Sequence, residues 1–229
     1  IILIAGKGHE TTQTYGTKII NISDREIVKN ISEKKIKFDQ KKYNKIFNGE
    51  IIKKIIKKDK LKFEGVSINS KQIKKDNLFI AIKGKNHDGH IFTKEALKNK
   101  ANFCVVQKKF NKRNNNKLIK YPSTLKFLNK LALYKRSLTN SKVIAITGSS
   151  GKTTLKTILG KTLGNYGKTY FSQKSYNNHI GVPISLCNIE HEHKYSVFEI
   201  GMSNTGEIRK LSSLVKPNIA IITNIGEAH

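Results

Sequence analysis

Tryptophan is absent from the 229 residues, and methionine (one), cysteine (two) and proline (three) are scarce. Cys104 and Cys187 stand far apart with no metal-ligand spacing around either, which argues against a disulfide framework or a zinc site and fits a reducing, cytoplasmic setting. No run of about eighteen apolar residues occurs, so no membrane insertion is expected, and no charged-then-apolar leader resembles a signal peptide. Acidic residues are few: 16 Asp and Glu face 44 Lys and Arg, giving a formal net charge of +28. Arginine is scarcer still, with Arg25, Arg113, Arg136 and Arg209 the only four. Recognition of phosphates and bases favours the planar, bidentate guanidinium, so a surface built on lysine reads as a bias of composition and not as a nucleic-acid interface. The charge is uneven as well. Residues 29–120 hold 27 basic and 8 acidic residues, whereas 143–229 hold 9 and 5.

What is present organises the chain into zones. Ile1-Ile2-Leu3-Ile4-Ala5 reads as a buried strand, followed by a glycine turn at Gly6-Lys7-Gly8, an apolar pair Ile19-Ile20 and a short helix from Ser23, where Ser23 and Glu26 form a capping-box pattern. With no initiator Met before that strand, and with Ile219-Ala220-Ile221-Ile222-Thr223 predicting another buried strand just before the last residues, the chain is expected to be a fragment cut within an active-site loop. Residues 34–60 are lysine-rich. Within them Ile51-Ile52-Lys53-Lys54-Ile55-Ile56-Lys57-Lys58 is compatible with a basic amphipathic helix, but eight residues are marginal for one, and a short strand with a solvated turn is the preferred expectation. From Leu61 to Gln107 strands alternate with helices: Gly65–Ile68, Leu78–Ile82, a helix near Thr93–Asn99, and Phe103–Val106. Lys108–Lys120 is a polar, Asn-rich loop, and Ser123–Leu138 reads as a helix. A further α/β domain opens at Val143.

That last domain carries the chemistry. Val143-Ile144-Ala145-Ile146-Thr147 predicts a buried strand, Gly148-Ser149-Ser150-Gly151 a small-residue turn, and Lys152-Thr153-Thr154 the start of a helix. Such a turn lets backbone N–H groups approach a phosphate, the helix N-terminus adds a favourable field, lysine adds a cation and a hydroxyl can bind Mg²⁺. The pattern departs from the standard phosphate loop in one place, since Ile146 stands where the first glycine is usual.

Thr147–Thr154 resembles the compact phosphate loop of the Mur ligases, the ATP-dependent amide-forming enzymes of peptidoglycan synthesis. Further blocks follow in that family's order: Tyr176-Asn177-Asn178-His179-Ile180-Gly181-Val182-Pro183, then Glu199-Ile200-Gly201-Met202-Ser203-Asn204-Thr205-Gly206-Glu207-Ile208, then Ile222-Thr223-Asn224-Ile225-Gly226-Glu227-Ala228-His229. Upstream, Gly65–Lys71, Leu78–Gly84 and His87–Phe92 resemble the uridine-nucleotide-binding domain of the family member that adds D-alanyl-D-alanine to UDP-N-acetylmuramoyl-tripeptide. Where those ligases usually carry Asp-Ser-Arg, this chain has Asn69-Ser70-Lys71, which keeps the serine and the positive charge but does not imply a bidentate arginine contact. Ala5–Glu10 with Ser23–Glu26 resembles the end of a different member, the one that adds the preceding amino acid of the stem peptide.

The resemblance implies an α/β fold with four segments. These are a tail of one ligase (1–33), a lysine-rich linker and domain start (34–60), a small α/β uridine-nucleotide-binding domain (61–138) and a mostly parallel, truncated α/β ATPase domain of phosphate-loop type (143–229). It also implies roles. Gly148, Ser149, Ser150, Gly151, Lys152, Thr153, Thr154, Asn177 and Asn178 would bind ATP. Thr153, Glu199 and His229 would hold Mg²⁺, with Lys152, Glu199 and His229 in the catalytic set. Ser67, Asn69, Ser70, Lys71, Gly84, Asp88, Gly89 and His90 would meet the UDP-linked substrate, and Gly6 and Glu10 the amino acid of the tail's own ligase. His87 and His90 have no third ligand near them in sequence, which speaks against a separate metal site. The implied partners are UDP-N-acetylmuramoyl-tripeptide and D-alanyl-D-alanine, and a monomer is expected. Lacking the family's carbamylated lysine and C-terminal domain, the fragment is expected to bind nucleotide weakly without turning over. Three rivals remain open at this point: a folylpolyglutamate-type ligase sharing the phosphate loop but not the uridine-nucleotide domain, a basic nucleic-acid-binding protein, and a non-catalytic scaffold.

Overall fold

A computed structural model of the chain describes residues 12–15, 18–21, 40–56, 61–84, 87–110, 115–172 and 174–226. It divides into two units, Ile1–Gln40 and Lys41–His229. In the first, β1 (Thr12–Tyr15) and β2 (Lys18–Asn21) pair antiparallel, with Thr12 opposite Asn21 and Tyr15 opposite Lys18. The expected strand at 1–5, the glycine turn and the helix from Ser23 lie outside the described residues.

The second unit contains two four-stranded parallel sheets. One takes β3 (Val66–Ser67), β4 (Leu78–Ile80), β5 (Phe103–Gln107) and β6 (Leu118–Tyr121) in chain order. The other is built from β7 (Lys142–Thr147), β8 (Thr169–Phe171), β9 (Tyr195–Glu199) and β10 (Ile219–Ile222), in the order β10-β7-β9-β8. The helices are α1 (Gln40–Ile56), α2 (Thr93–Lys98), α3 (Thr124–Leu138), α4 (Lys152–Gly164), α5 (Gly181–Cys187) and α6 (Glu207–Val215).

Side-chain alternation explains how the layers stack. In β4, β5 and β7 successive residues point to opposite faces, and both faces are apolar, as a covered parallel sheet requires. Leu78, Ile80 and Val105 join Val143 and Ala145 in one continuous core, which also takes Phe127, Leu128 and Leu131 of α3, residues 182, 184, 186 and 187 of α5, and Leu211 and Val215 of α6. Helices thus fill the space shared by the two sheets. On the far face of the first sheet, Phe79, Cys104 and Val106 pack with Ala96 of α2. On the far face of the second, Ile144, Ile146 and Val197 pack under Leu155, Leu159 and Leu163 of α4.

Three expectations are corrected. Ile51–Ile56 is helical and not a strand, because it forms the last turns of a 17-residue helix and not an isolated eight-residue one. Ile51, Ile52 and Ile55 are buried beside Phe63, so tertiary packing supplies what local propensity lacks. Lys57 and Lys58 lie outside the described residues. Within the Asn-rich stretch, Leu118–Lys120 begins β6, with Ile119 buried and paired to Val105. The strand at Ile219–Ile222 forms, but as a sheet edge bonded to β7, leaving Ile219 and Ile222 exposed among the described residues.

Candidate active site

The order of the second sheet decides where its site lies. The chain leaves β7, crosses by α4 to β8, returns to β9 and reaches β10 on the opposite side of β7, so the chain diverges at the carboxyl end of β7. Ligands of open α/β sheets bind at such a point. The turn from Gly148 to Gly151 occupies it. Gly148 has φ 131°, and a Cβ there would lie 2.1 Å from Thr223 Oγ1; Gly151, at φ 77°, caps α4 in the left-handed region.

The segment after β10 clasps this turn. Ser149 N–H donates to the Asn224 carbonyl at 3.1 Å, Ser150 N–H donates to Asn224 Oδ1 at 2.9 Å, and Asn224 Nδ2 donates to Ser150 Oγ at 2.8 Å. Thr223 Oγ1 donates to the Ser150 carbonyl at 2.6 Å. The Lys152 ammonium lies over the same turn, donating to the carbonyls of Gly148 (2.6 Å) and Ser149 (3.1 Å).

One turn into the chemistry, three elements converge on a buried carboxylate. Glu199, at the end of β9, is 3% exposed. Its Oε2 accepts from Thr153 Oγ1 of α4 at 2.8 Å, and its Oε1 accepts from Asn177 Nδ2 at 2.9 Å. Lys156 Nζ stands 3.6 Å from Oε2. A hydroxyl and a carboxylate so close together form the hard-oxygen donor set that suits Mg²⁺, and they sit beside a turn suited to phosphates. Among the described residues no cluster of three His, Cys, Asp or Glu could hold a metal. A cation here would rest on this pair, with remaining positions filled from outside the described residues, by solvent or by phosphate.

A cleft of about 960 Å³ opens between the two sheets' domains, lined by Ser67 and Asn69 on one side and by Lys168, Ser172, Lys174 and Tyr176 on the other. The turn at Gly148–Gly151 is not part of its lining. Lys135 reaches the cleft floor from α3, donating to buried Asn48 at 2.8 Å, and burial pushes its ammonium down to about 8.

Comparison with known families agrees with this arrangement. Residues 62–136 match the Mur ligase family catalytic domain, and residues 146–229 match the Mur ligase middle domain. The chain belongs to the Mur ligase family. It is 41% identical over 164 residues to the UDP-N-acetylmuramoyl-tripeptide--D-alanyl-D-alanine ligase of Rickettsia prowazekii, covering 72% of this chain and 36% of that one. It is 35% identical over 166 residues to the enzyme of the same name from Bacillus subtilis, again covering 72% and 36%. MurF from Acinetobacter baumannii superposes with a TM-score of 0.67 at 30% identity, over 79% of this chain and 41% of that one. MurF from Thermotoga maritima, solved in complex with ADP, gives 0.60 at 33% identity over 72% and 38%. The chain spans a little over a third of the length of these relatives.

Set against this Mur ligase framework, the residues picked out in sequence fall into two groups. Gly148–Thr153, Asn177 and Glu199 come together at the end of β7, and Thr154 is exposed on the first turn of α4. Asn178 turns away, its Oδ1 accepting from the N–H groups of Ile180 and Gly181 at the start of α5. Of the substrate residues expected in the first domain, only Ser67 and Asn69 line the cleft. Ser70 is buried and donates to Glu95 at 2.9 Å. Asp88 caps the turn at Gly89, accepting from the His90 N–H at 3.0 Å and lying 2.5 Å from His90 Nδ1. That backbone bond, ahead of the His90 side chain, holds the Asp88 carboxyl below its ordinary range. Because Gln107 N–H donates to His90 Nε2 at 3.0 Å, the ring proton sits on Nδ1 and points at Asp88. Gly84 donates to the His87 carbonyl at 2.9 Å, and a Cβ on Gly89 would meet Ile82 backbone at 2.7 Å. Lys71 is exposed. Gly6, Glu10 and His229 lie outside the described residues.

Sequence reasoning gave no role to Lys156 or Asn224. Asn224 lies within the family block at Ile222–His229, but nothing local reveals that it reaches back to Ser149 and Ser150. Lys156 had a faint signal, lying three residues after Thr153 and four before the buried Gly160 on a single helix face.

Proposed function

We propose that this chain carries the nucleotide half and the UDP-substrate half of an ATP-dependent ligase that joins D-alanyl-D-alanine to UDP-N-acetylmuramoyl-tripeptide. The observation that supports it most is the meeting of Thr153 and Asn177 at the buried Glu199 carboxylate, beside a strand-turn-helix phosphate loop. In this reading ATP phosphorylates the tripeptide's terminal carboxylate, the dipeptide amine attacks the acyl phosphate, and ADP and phosphate leave. The protein positions these groups and offsets charge. The turn at Gly148–Gly151 takes the phosphates, Asn224 yielding the N–H groups of Ser149 and Ser150, and the Lys152 ammonium swings from its own loop carbonyls to the β/γ oxygens. Mg²⁺ held by Thr153 and Glu199 would neutralise phosphate charge, and Asn177 keeps the Glu199 carboxylate turned toward the helix. The cleft lined by Ser67 and Asn69 receives the UDP-linked substrate. Residues 1–33, with Gly6 and Glu10, belong in this proposal to the end of a separate ligase adding the preceding amino acid.

The test is binding of a fluorescent ATP analogue by the chain, competed by unlabelled ATP. Weak, Mg²⁺-dependent binding lost in Lys152→Ala is expected. Binding that ignores both Mg²⁺ and Lys152→Ala would overturn the nucleotide assignment. In a full-length protein bearing these domains, phosphate release should require both the UDP-linked tripeptide and D-alanyl-D-alanine, and Glu199→Ala should abolish it.

A further inference from the structure

Lysine is almost never fully buried unless its charge has a partner. Lys156 is 0% exposed, in the middle of α4, and its ammonium has three neighbours: the Lys174 carbonyl at 3.0 Å, Ser172 Oγ at 3.4 Å and Glu199 Oε2 at 3.6 Å. Ser172 in turn donates to the Lys174 carbonyl at 2.8 Å. The side chain therefore links three things: the helix that follows the phosphate turn, the carboxylate at the end of β9, and the 172–174 segment that leads into Asn177. Ser172 and Lys174 also line the cleft, so the same ammonium bonds to two residues of its lining.

Glu199 is as deeply buried as Lys156, and a carboxylate with hydroxyl and amide donors alone would carry an uncompensated charge. We propose that Lys156 is a positioning residue, a built-in countercation that holds Glu199 in place before a divalent cation arrives and thereby sets how tightly the site takes that cation. The pair is close enough for strong attraction at low dielectric, yet longer than a hydrogen bond, so Oε2 keeps its bond to Thr153 while the ammonium is anchored elsewhere. A cation arriving at Thr153 and Glu199 meets a carboxylate already aimed but partly neutralised. The ammonium lowers affinity at that point and keeps the 172–177 segment in register with it. The affinity half of this inference rests on the reading of Glu199 as a cation ligand; the pairing half does not.

A double-mutant cycle in the full chain, without metal, tests the pairing. Lys156→Met and Glu199→Gln should each lower Tm by about 10 °C, and the double variant by no more than either alone. Additive losses would overturn the pairing, as would a Lys156→Met chain as stable as the parent. If Lys156→Met does not fold, the double variant should still fold, and its failure to do so also overturns the inference. Lys156→Arg keeps the charge and should retain most of the Tm. Affinity is then read with Mn²⁺ in the presence of ADP, following free Mn²⁺ by electron paramagnetic resonance. Lys156→Met should bind Mn²⁺ about tenfold more tightly than the parent, with a larger metal-induced rise in Tm. Equal or weaker binding overturns the affinity half. A parent chain that takes no Mn²⁺ overturns both that half and the metal assignment of the proposed function, while the metal-free cycle still decides the pairing.

Discussion

Before Leu138, polar residues that look functional bond to one another inside their own domain: Ser70 to Glu95, Asp88 to His90, His90 to the Gln107 backbone. After Val143, polar residues from separate elements converge on shared atoms, with Thr153, Asn177 and Lys156 all directed at Glu199. In the first domain a motif such as His87-Asp88-Gly89-His90 fixes a turn, and none of its residues lines the cleft. In the second domain the motif residues themselves form the polar centre. Similarity of motif therefore carries different information in the two places: locally bonded turns in one, convergence on a shared carboxylate in the other.

Four measurements sharpen or break this contrast. The largest effect is expected from Gly148→Ala, where a positive φ and the 2.1 Å approach of Thr223 Oγ1 leave no room for Cβ. Thermal denaturation should show Tm lower by about 5–10 °C together with loss of nucleotide binding. Lys152→Ala should weaken binding of an ATP analogue by about 30- to 100-fold with Tm nearly unchanged, the mark of a residue used for chemistry more than for stability. Asp88→Ala should do the reverse, costing about 1–2 kcal/mol of stability through the lost cap and the unpartnered Nδ1 of His90, while nucleotide binding holds. If Asp88→Ala leaves stability untouched but abolishes binding of a UDP-linked substrate, the contrast fails.

The smallest effect is a difference in pH windows. Burial, ahead of the opposing Glu190 charge, lowers His193 from its ordinary 6.5, so its neutral form, accepting the Glu190 N–H at 2.8 Å, belongs to the fold. The unfolded chain binds that proton more readily, so stability should fall as pH drops below about 6.5, and His193→Gln should flatten Tm against pH there. Asp88 is lowered from 3.8, so the stability it adds is present above that value and lost only as pH falls further, through its folded one. The second domain should therefore respond to mild acid and the first only to strong acid, as site-resolved hydrogen exchange across a pH series would reveal.

Much of the fold is legible in the residues themselves. The continuous apolar runs Val143–Ile146 and Leu78–Ile80 predict strands covered on both faces, and the leucines of Ser123–Leu138 predict a helix, which Ser123 caps by accepting from Lys126 N–H at 3.3 Å. The phosphate turn is legible because strand, small residues and Lys152-Thr153 are contiguous. The helix at Ile51–Ile56 is not legible locally because it is held by Phe63 and by the bonds from buried Asn48 to the carbonyls of Phe63 and Glu64, contacts that no local pattern contains. Leu118–Lys120 was hidden by the Asn-rich residues before it, since a short strand is fixed by its neighbour β5 more than by its own propensity.

By itself the sequence determined the α/β alternation, the phosphate turn and the order of the family blocks, because periodicity and turn chemistry act between residues adjacent in the chain. Only the tertiary structure decided which polar residues meet. Glu199 is reached from Thr153 at a separation of 46 residues and from Asn177 at 22, and Asn224 reaches Ser150 across 74. Whether Lys156 is a solvated lysine or a buried partner for a carboxylate depends on the strand that the crossover returns beside its helix. The physical reason is that burying a charge is costly unless its partner is delivered to the same place, and that delivery is the work of the whole sheet.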